Sequence, residues 1–140
     1  MLSYMVPENE PTAVIKYLSG DRVLKSAWYN IVDFDDYTIV LLQNSGTASA
    51  SEILVGTIKD YYPEAITIWE QSYWKGSVQQ MKEYKDGSLL KFTVAKWYTG
   101  GEQRGIDGVW LTPDIELELD MDQYKKFDID NQYNKALRVK

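Results

Sequence analysis

The chain has 140 residues, 44% of them hydrophobic and 26% charged, with a net charge of −6; that length suits one domain able to bury about 68–70% of its unfolded surface. It has no Cys and no His, which excludes disulfides, zinc–thiolate sites, thiol nucleophiles and His-based triads. The acidic balance and scattered Lys and Arg argue against nucleic acid and anionic membrane partners, and no run approaches the ~18 apolar residues of a membrane span.

Residues 1–7 lack a basic n-region and an apolar h-region. They are read as no signal peptide, leaving the chain either cytosolic or once continued upstream. Pro7 and Pro11 bracket an acidic turn. Residues 13–17 and 22–29 alternate as two strands joined at Ser19-Gly20-Asp21, and 30–36 read as a loop. The apolar, β-branched run 37–42 predicts a strand buried on both faces. Ile53, Leu54, Ile58 and Tyr61 then fall at helical spacing, predicting a helix over 48–61 that ends before Pro63. Residues 65–69 form a second buried run, completing a parallel βαβ unit. After a loop at 70–76, strands at 78–84 and 88–97 form a hairpin on Lys85-Asp86-Gly87. Residues 100–108 read as a mobile loop, 115–119 alternate as a strand, and 131–138 close the chain as a helix. The fold class is α/β with mixed strand directions, in a single domain over 1–140.

With His and Cys absent, acid–base chemistry falls to Asp, Glu, Lys or Tyr, and a Ser–Lys dyad is the main route to a serine nucleophile. Ser45-Gly46-Thr47-Ala48-Ser49-Ala50-Ser51-Glu52 is a run of mostly small residues between a buried strand and a helix. Small side chains at Gly46 and Thr47 let another backbone approach, so these two are expected to line the substrate. A Ser in the first helical turn faces unpaired N–H groups able to stabilise an oxyanion. The same letters also spell a capping box, Ser49 capping the helix and Glu52 reaching back to its N–H. Lys75 lies in the loop after the next parallel strand, at the carboxyl ends where α/β sites form. Buried there, its amine would lose its proton and could accept that of the Ser49 hydroxyl. A solvated surface lysine is the alternative. Gln79 could hydrogen-bond the amine and orient it.

Ser49-Ala50-Ser51-Glu52-Ile53, Lys75-Gly76-Ser77-Val78-Gln79, Asp86-Gly87-Ser88 and Pro113-Asp114-Ile115 stand in the order found in C-terminal processing (tail-specific) serine peptidases, which this chain resembles from about 37 to 115. The resemblance implies Ser49 as nucleophile, Lys75 as general base, Gln79 as its positioning residue and the Ala50 N–H as one oxyanion donor. It also implies a ClpP/crotonase-like core, an extracytoplasmic location, and a protein or peptide substrate cut near an apolar C-terminus. No cofactor or metal is called for, and self-association is left open. Trp74 stands where the family has Gly and is expected to line the substrate side-chain pocket. The interval from Ser49 to Lys75 is one residue longer than usual. A PDZ domain and an upstream glycine-rich segment, source of the second oxyanion donor, are expected to be missing. The chain then reads as the later part of a catalytic domain. Its alternatives are an incomplete relative serving as a peptide-binding or scaffolding module, and, more remotely, an aromatic-rich glycan binder.

Asp114, Glu116, Glu118, Asp120 and Asp122 recur at every second residue, which suggests a cation ladder, but one solvated strand face explains them. Residues 128–130 begin like a calcium loop without its Gly or closing Glu.

Overall fold

The computed structural model describes residues 1–27, 34–73, 75–109 and 111–139. A one-turn helix, α1 (Leu2–Met5), precedes an antiparallel pair, β1 (Pro11–Tyr17) and β2 (Gly20–Lys25). A 3-10 turn at Phe34–Asp36 leads into β3 (Val40–Gln43), α2 (Ala50–Tyr61) and β4 (Ile66–Trp69). The hairpin β5 (Ser77–Glu83) and β6 (Leu89–Thr99) follows, then β7 (Ile115–Glu116), α3 (Met121–Phe127) and α4 (Asn131–Ala136).

Two sheets result. β2-β1-β6-β5 is antiparallel throughout, and β3-β4-β7 is parallel. β3 and β4 pair from Val40↔Ile66 to Gln43↔Trp69, with α2 as the crossover, so the expected βαβ unit is present. α2 packs on the antiparallel sheet, where Ile53 meets Ala13 and Ile106 in a buried cluster edged by Leu2, Leu24 and Trp97. Thr57 locks that contact: its hydroxyl donates to the Thr12 carbonyl at 3.1 Å and accepts the Gly100 N–H at 2.9 Å. α4 covers β3 and β4, with Gln132 fully buried and donating to the Leu117 carbonyl at 2.6 Å.

Several expectations change. β3 is not buried on both faces, since it is an edge strand and Leu42 is exposed. Residues 100–108 are tied down rather than loose. Thr99 donates its N–H to the Arg104 carbonyl at 3.0 Å, Tyr98 bridges to Gly105, and Arg104 pairs with Asp60. Gly100 is there for close packing, because a Cβ would sit 2.0 Å from the Pro11 carbonyl oxygen. The alternation at 115–119 yields only a two-residue strand. Asp114, Glu116 and Glu118 are exposed and alternate with half-buried Ile115, Leu117 and Leu119, the solvated face expected, and the pattern ends where Asp120 starts α3. Asp114 bonds to Thr67 and Lys59, while Asp120 and Asp130 cap α3 and α4. Neither α1 nor α3 was expected. Trp28 and Tyr29, at the expected end of the second strand, lie outside the described residues, as do Trp74 and Trp110.

Candidate active site

Between β3 and α2 the chain reverses within a few residues, and Asn44 organises the turn. Its side-chain oxygen accepts the Gly46 N–H at 2.9 Å and its carbonyl accepts the Thr47 N–H at 2.8 Å. Its own N–H donates to the Thr47 hydroxyl at 2.9 Å. Gly46 and Thr47 therefore shape the turn, whatever else approaches them. Ser49 follows in half-buried surroundings with φ 56° and ψ −114°. A non-glycine residue there is strained by about 1–3 kcal/mol, and an ordinary helix cap has extended backbone. A serine on a sharp, strained strand-to-helix turn is the arrangement that exposes a nucleophilic hydroxyl in α/β hydrolases. The Ala50 N–H, first of α2, has no acceptor among the described residues.

Glu52, on the first turn of α2, is fully buried. One carboxylate oxygen accepts the Ser49 N–H at 2.8 Å, as the capping box requires. That same oxygen accepts the Lys75 N–H, also at 2.8 Å. The other accepts the Ser72 hydroxyl at 2.6 Å, and the Ser72 oxygen accepts the Leu111 N–H at 3.2 Å. The loop after β4 is strapped to the turn again where the Tyr73 N–H donates to the Thr47 carbonyl at 2.8 Å. Gln43, at the end of β3, adds bonds to the Glu70 and Leu111 carbonyls at 2.9 and 2.6 Å. Three chain segments thus meet at the carboxyl ends of the parallel strands. The backbones of Ser49 and Lys75 lie two hydrogen-bond lengths apart through one oxygen.

The side chains are less gathered than the backbones. Lys75 is exposed, the solvated lysine that stood as the alternative to a buried base. No hydrogen bond joins its amine to the Ser49 hydroxyl among the described residues. Gln79 lies on β5 opposite Thr93, just past a register shift, exposed and without a side-chain hydrogen bond among the described residues. Trp74 falls outside the described residues. Sequence reasoning saw Glu52 only as a cap; Ser72 and Gln43 carried no signal, since their partners lie 20 to 68 residues away.

Two groups toward the far end of α2 have shifted acidities. Burial pushes Asp114 up, but the N–H and hydroxyl of Thr67 together with Lys59 outweigh it and hold the carboxyl below its ordinary value. Tyr61 is pushed up to about 12, by burial first and then by Glu10 and Asp60; its hydroxyl donates to the Pro11 carbonyl at 2.9 Å.

The model of peptidase family S41 matches residues 5–117. A relative described as "Probable CtpA-like serine protease" from Staphylococcus saprophyticus is 34% identical over 118 residues, which are 84% of this chain and 24% of the relative. A protein of the same description from Staphylococcus aureus (strain COL) is 42% identical over 83 residues, 59% of this chain and 16% of that protein. Among solved structures, the photosystem II D1 C-terminal processing protease matches with a TM-score of 0.65 at 31% identity, over 84% of this chain and 30% of that one. The chain spans a quarter or less of the length of these curated relatives. The fold is α/β of the ClpP-like kind, with added antiparallel strands.

Proposed function

This chain belongs to peptidase family S41, and on that premise we propose that it carries the Ser–Lys dyad of a serine endopeptidase, Ser49 as nucleophile and Lys75 as general base. The observation that carries the reading is the backbone of Ser49, strained at φ 56° and ψ −114° where a mere cap would be extended. The chain is read as the later part of a catalytic domain acting outside the cytoplasm. Its substrates are proteins or peptides cut near apolar C-termini, as the resemblance implies.

In the proposed reaction the Ser49 hydroxyl oxygen attacks the scissile carbonyl carbon while the Lys75 amine takes the hydroxyl proton. The Ala50 N–H faces the developing oxyanion, at the positive end of α2. The carbon–nitrogen bond then breaks, the leaving amine takes the proton from Lys75, and an ester remains on Ser49. Water attacks that ester, giving a proton to Lys75. The carboxylic acid product leaves and Ser49 recovers its proton. Lys75 is exposed in this chain, so bound substrate or further protein has to exclude water from the amine. Gln79, four residues on and within β5, is assigned to orient it. Trp74 is assigned to the side-chain pocket. A second oxyanion donor is assigned to a glycine-rich segment; lacking one donor typically costs about 10²–10³ in rate.

A second reading, a peptide-binding module that keeps the dyad without using it, is favoured by the exposure of both Lys75 and Gln79. An unstructured peptide ending in small apolar residues separates the two. Cleavage followed by mass spectrometry, lost in both Ser49→Ala and Lys75→Ala, supports the enzyme. Binding of the peptide without cleavage supports the module.

A further inference from the structure

We propose that Glu52, backed by Ser72, is a positioning residue that sets the spacing between nucleophile and base by holding both backbones on one carboxylate oxygen. The inference rests on reading Ser49 and Lys75 as that pair, and it assigns to Glu52 a task that helix capping does not include.

Capping requires neither burial nor a second strand of chain. Asp120 and Asp130 cap α3 and α4 by accepting only N–H groups of their own first turns. Glu52 does more. It is fully buried, and its Oε2 takes the N–H of a residue 23 positions away as well as that of Ser49. Its Oε1 is held by the Ser72 hydroxyl, itself held by the Leu111 N–H, so the carboxylate plane is fixed from behind. A buried carboxylate is retained only where its bonds are made.

Lys75 shows why its backbone matters. Its side chain is exposed and makes no hydrogen bond among the described residues, so the amine's reach is governed by where its Cα is held. The N–H side is held by Glu52. The other side is held at Gly76, buried so closely that a Cβ would lie 2.2 Å from the Asp107 backbone nitrogen. Lys75 is thus pinned on both flanks while its stem is left free to swing toward the Ser49 hydroxyl. A misplacement of about 1 Å in such a pair costs on the order of 10²-fold in rate.

Two substitutions separate reach from charge. Glu52→Gln keeps an oxygen at the same distance without the charge, and the Ser72 hydroxyl can turn to accept from the new amide. Glu52→Asp keeps the charge but is one methylene shorter, and cannot serve both amides. For wild type and both variants, amide hydrogen exchange at Ser49 and Lys75 is measured by NMR, alongside kcat and KM for cleavage of a peptide with an apolar C-terminus. The expected result is slow exchange at both amides in wild type and Glu52→Gln, whose kcat stays within about tenfold. In Glu52→Asp the Lys75 amide loses about tenfold or more of its protection, and kcat falls about 100-fold with KM nearly unchanged. Protection and kcat preserved in Glu52→Asp would overturn the proposal, as would equal losses of kcat in both variants. Should wild type cleave nothing, the peptidase reading of the chain fails on its own, and the exchange at Lys75 in Glu52→Asp still decides the clamp.

Discussion

The start of α2 differs from the starts of α3 and α4, although all three helices begin on a polar cap. Asp120 and Asp130 sit in extended backbone, at φ −74°, ψ 91° and φ −87°, ψ 103°, and accept the N–H groups of the next turn. Ser49 sits at φ 56° and ψ −114°, backed by a buried glutamate that also grips Lys75. Stability of a helix asks for the first arrangement. The second costs strain and buries a carboxylate, so a demand other than helix stability has shaped it. Presenting a hydroxyl at the carboxyl ends of β3 and β4 is such a demand.

Substitutions can break that contrast. Glu52→Ala leaves the buried Ser72 hydroxyl and the partly buried Ser49 and Lys75 N–H groups short of an acceptor. It should cost about 3 kcal/mol or more of unfolding free energy in a urea titration. A loss no larger than that of an ordinary cap would put α2 in the same class as α3 and α4. Asp130→Ala should cost only about 1 kcal/mol, the usual worth of a cap. Ser49→Gly should go the other way. Glycine tolerates positive φ, so relief of strain outweighs the lost hydroxyl cap and stability rises by about 1 kcal/mol, while peptide cleavage disappears. Asp130→Gly, in extended backbone, has no strain to release and should gain nothing.

The smallest effect is a pH dependence confined to α3. The Asp120 carboxyl is held below its ordinary value, first by the Gln123 N–H, with burial opposing and the Gln123 side chain and Asp122 N–H adding to it. Its contribution is therefore complete above the ordinary carboxylate value and is lost as pH falls through the lowered one. Helix-specific NMR shifts of α3 followed down from about pH 5 to 2 should show that loss, and Asp120→Asn should flatten it.

Much of this was legible in the sequence because local patterns carried it. The apolar runs around 37–42 and 65–69 with the helical spacing of Ile53, Leu54 and Ile58 defined the βαβ unit. Lys85-Asp86-Gly87 marked the hairpin turn, where the Ser88 N–H and hydroxyl both donate to Asp86. α3 was hidden for a physical reason. None of its residues is buried, so it has no apolar period, and the acids at every second position ran on into Asp120 and Asp122 as though the strand continued. At the candidate site, Ser49, Lys75 and their place at the strand ends could be read from motif order. The bond from Glu52 to Lys75 could not, because it depends on how a loop 23 residues away folds back. The exposure of Lys75 was one of the two readings its residue type offered, since lysines are rarely buried.

The central claim is that Ser49 is the nucleophile, and trapping the acyl-enzyme tests it most directly. The chain is mixed with an activated ester of an apolar peptide, quenched in acid, and the modified residue is mapped by tandem mass spectrometry. The account predicts an ester on Ser49, formed far more slowly in Lys75→Ala. An ester on Ser45 or Ser51 instead, or formation on Ser49 at the same rate without Lys75, would contradict it.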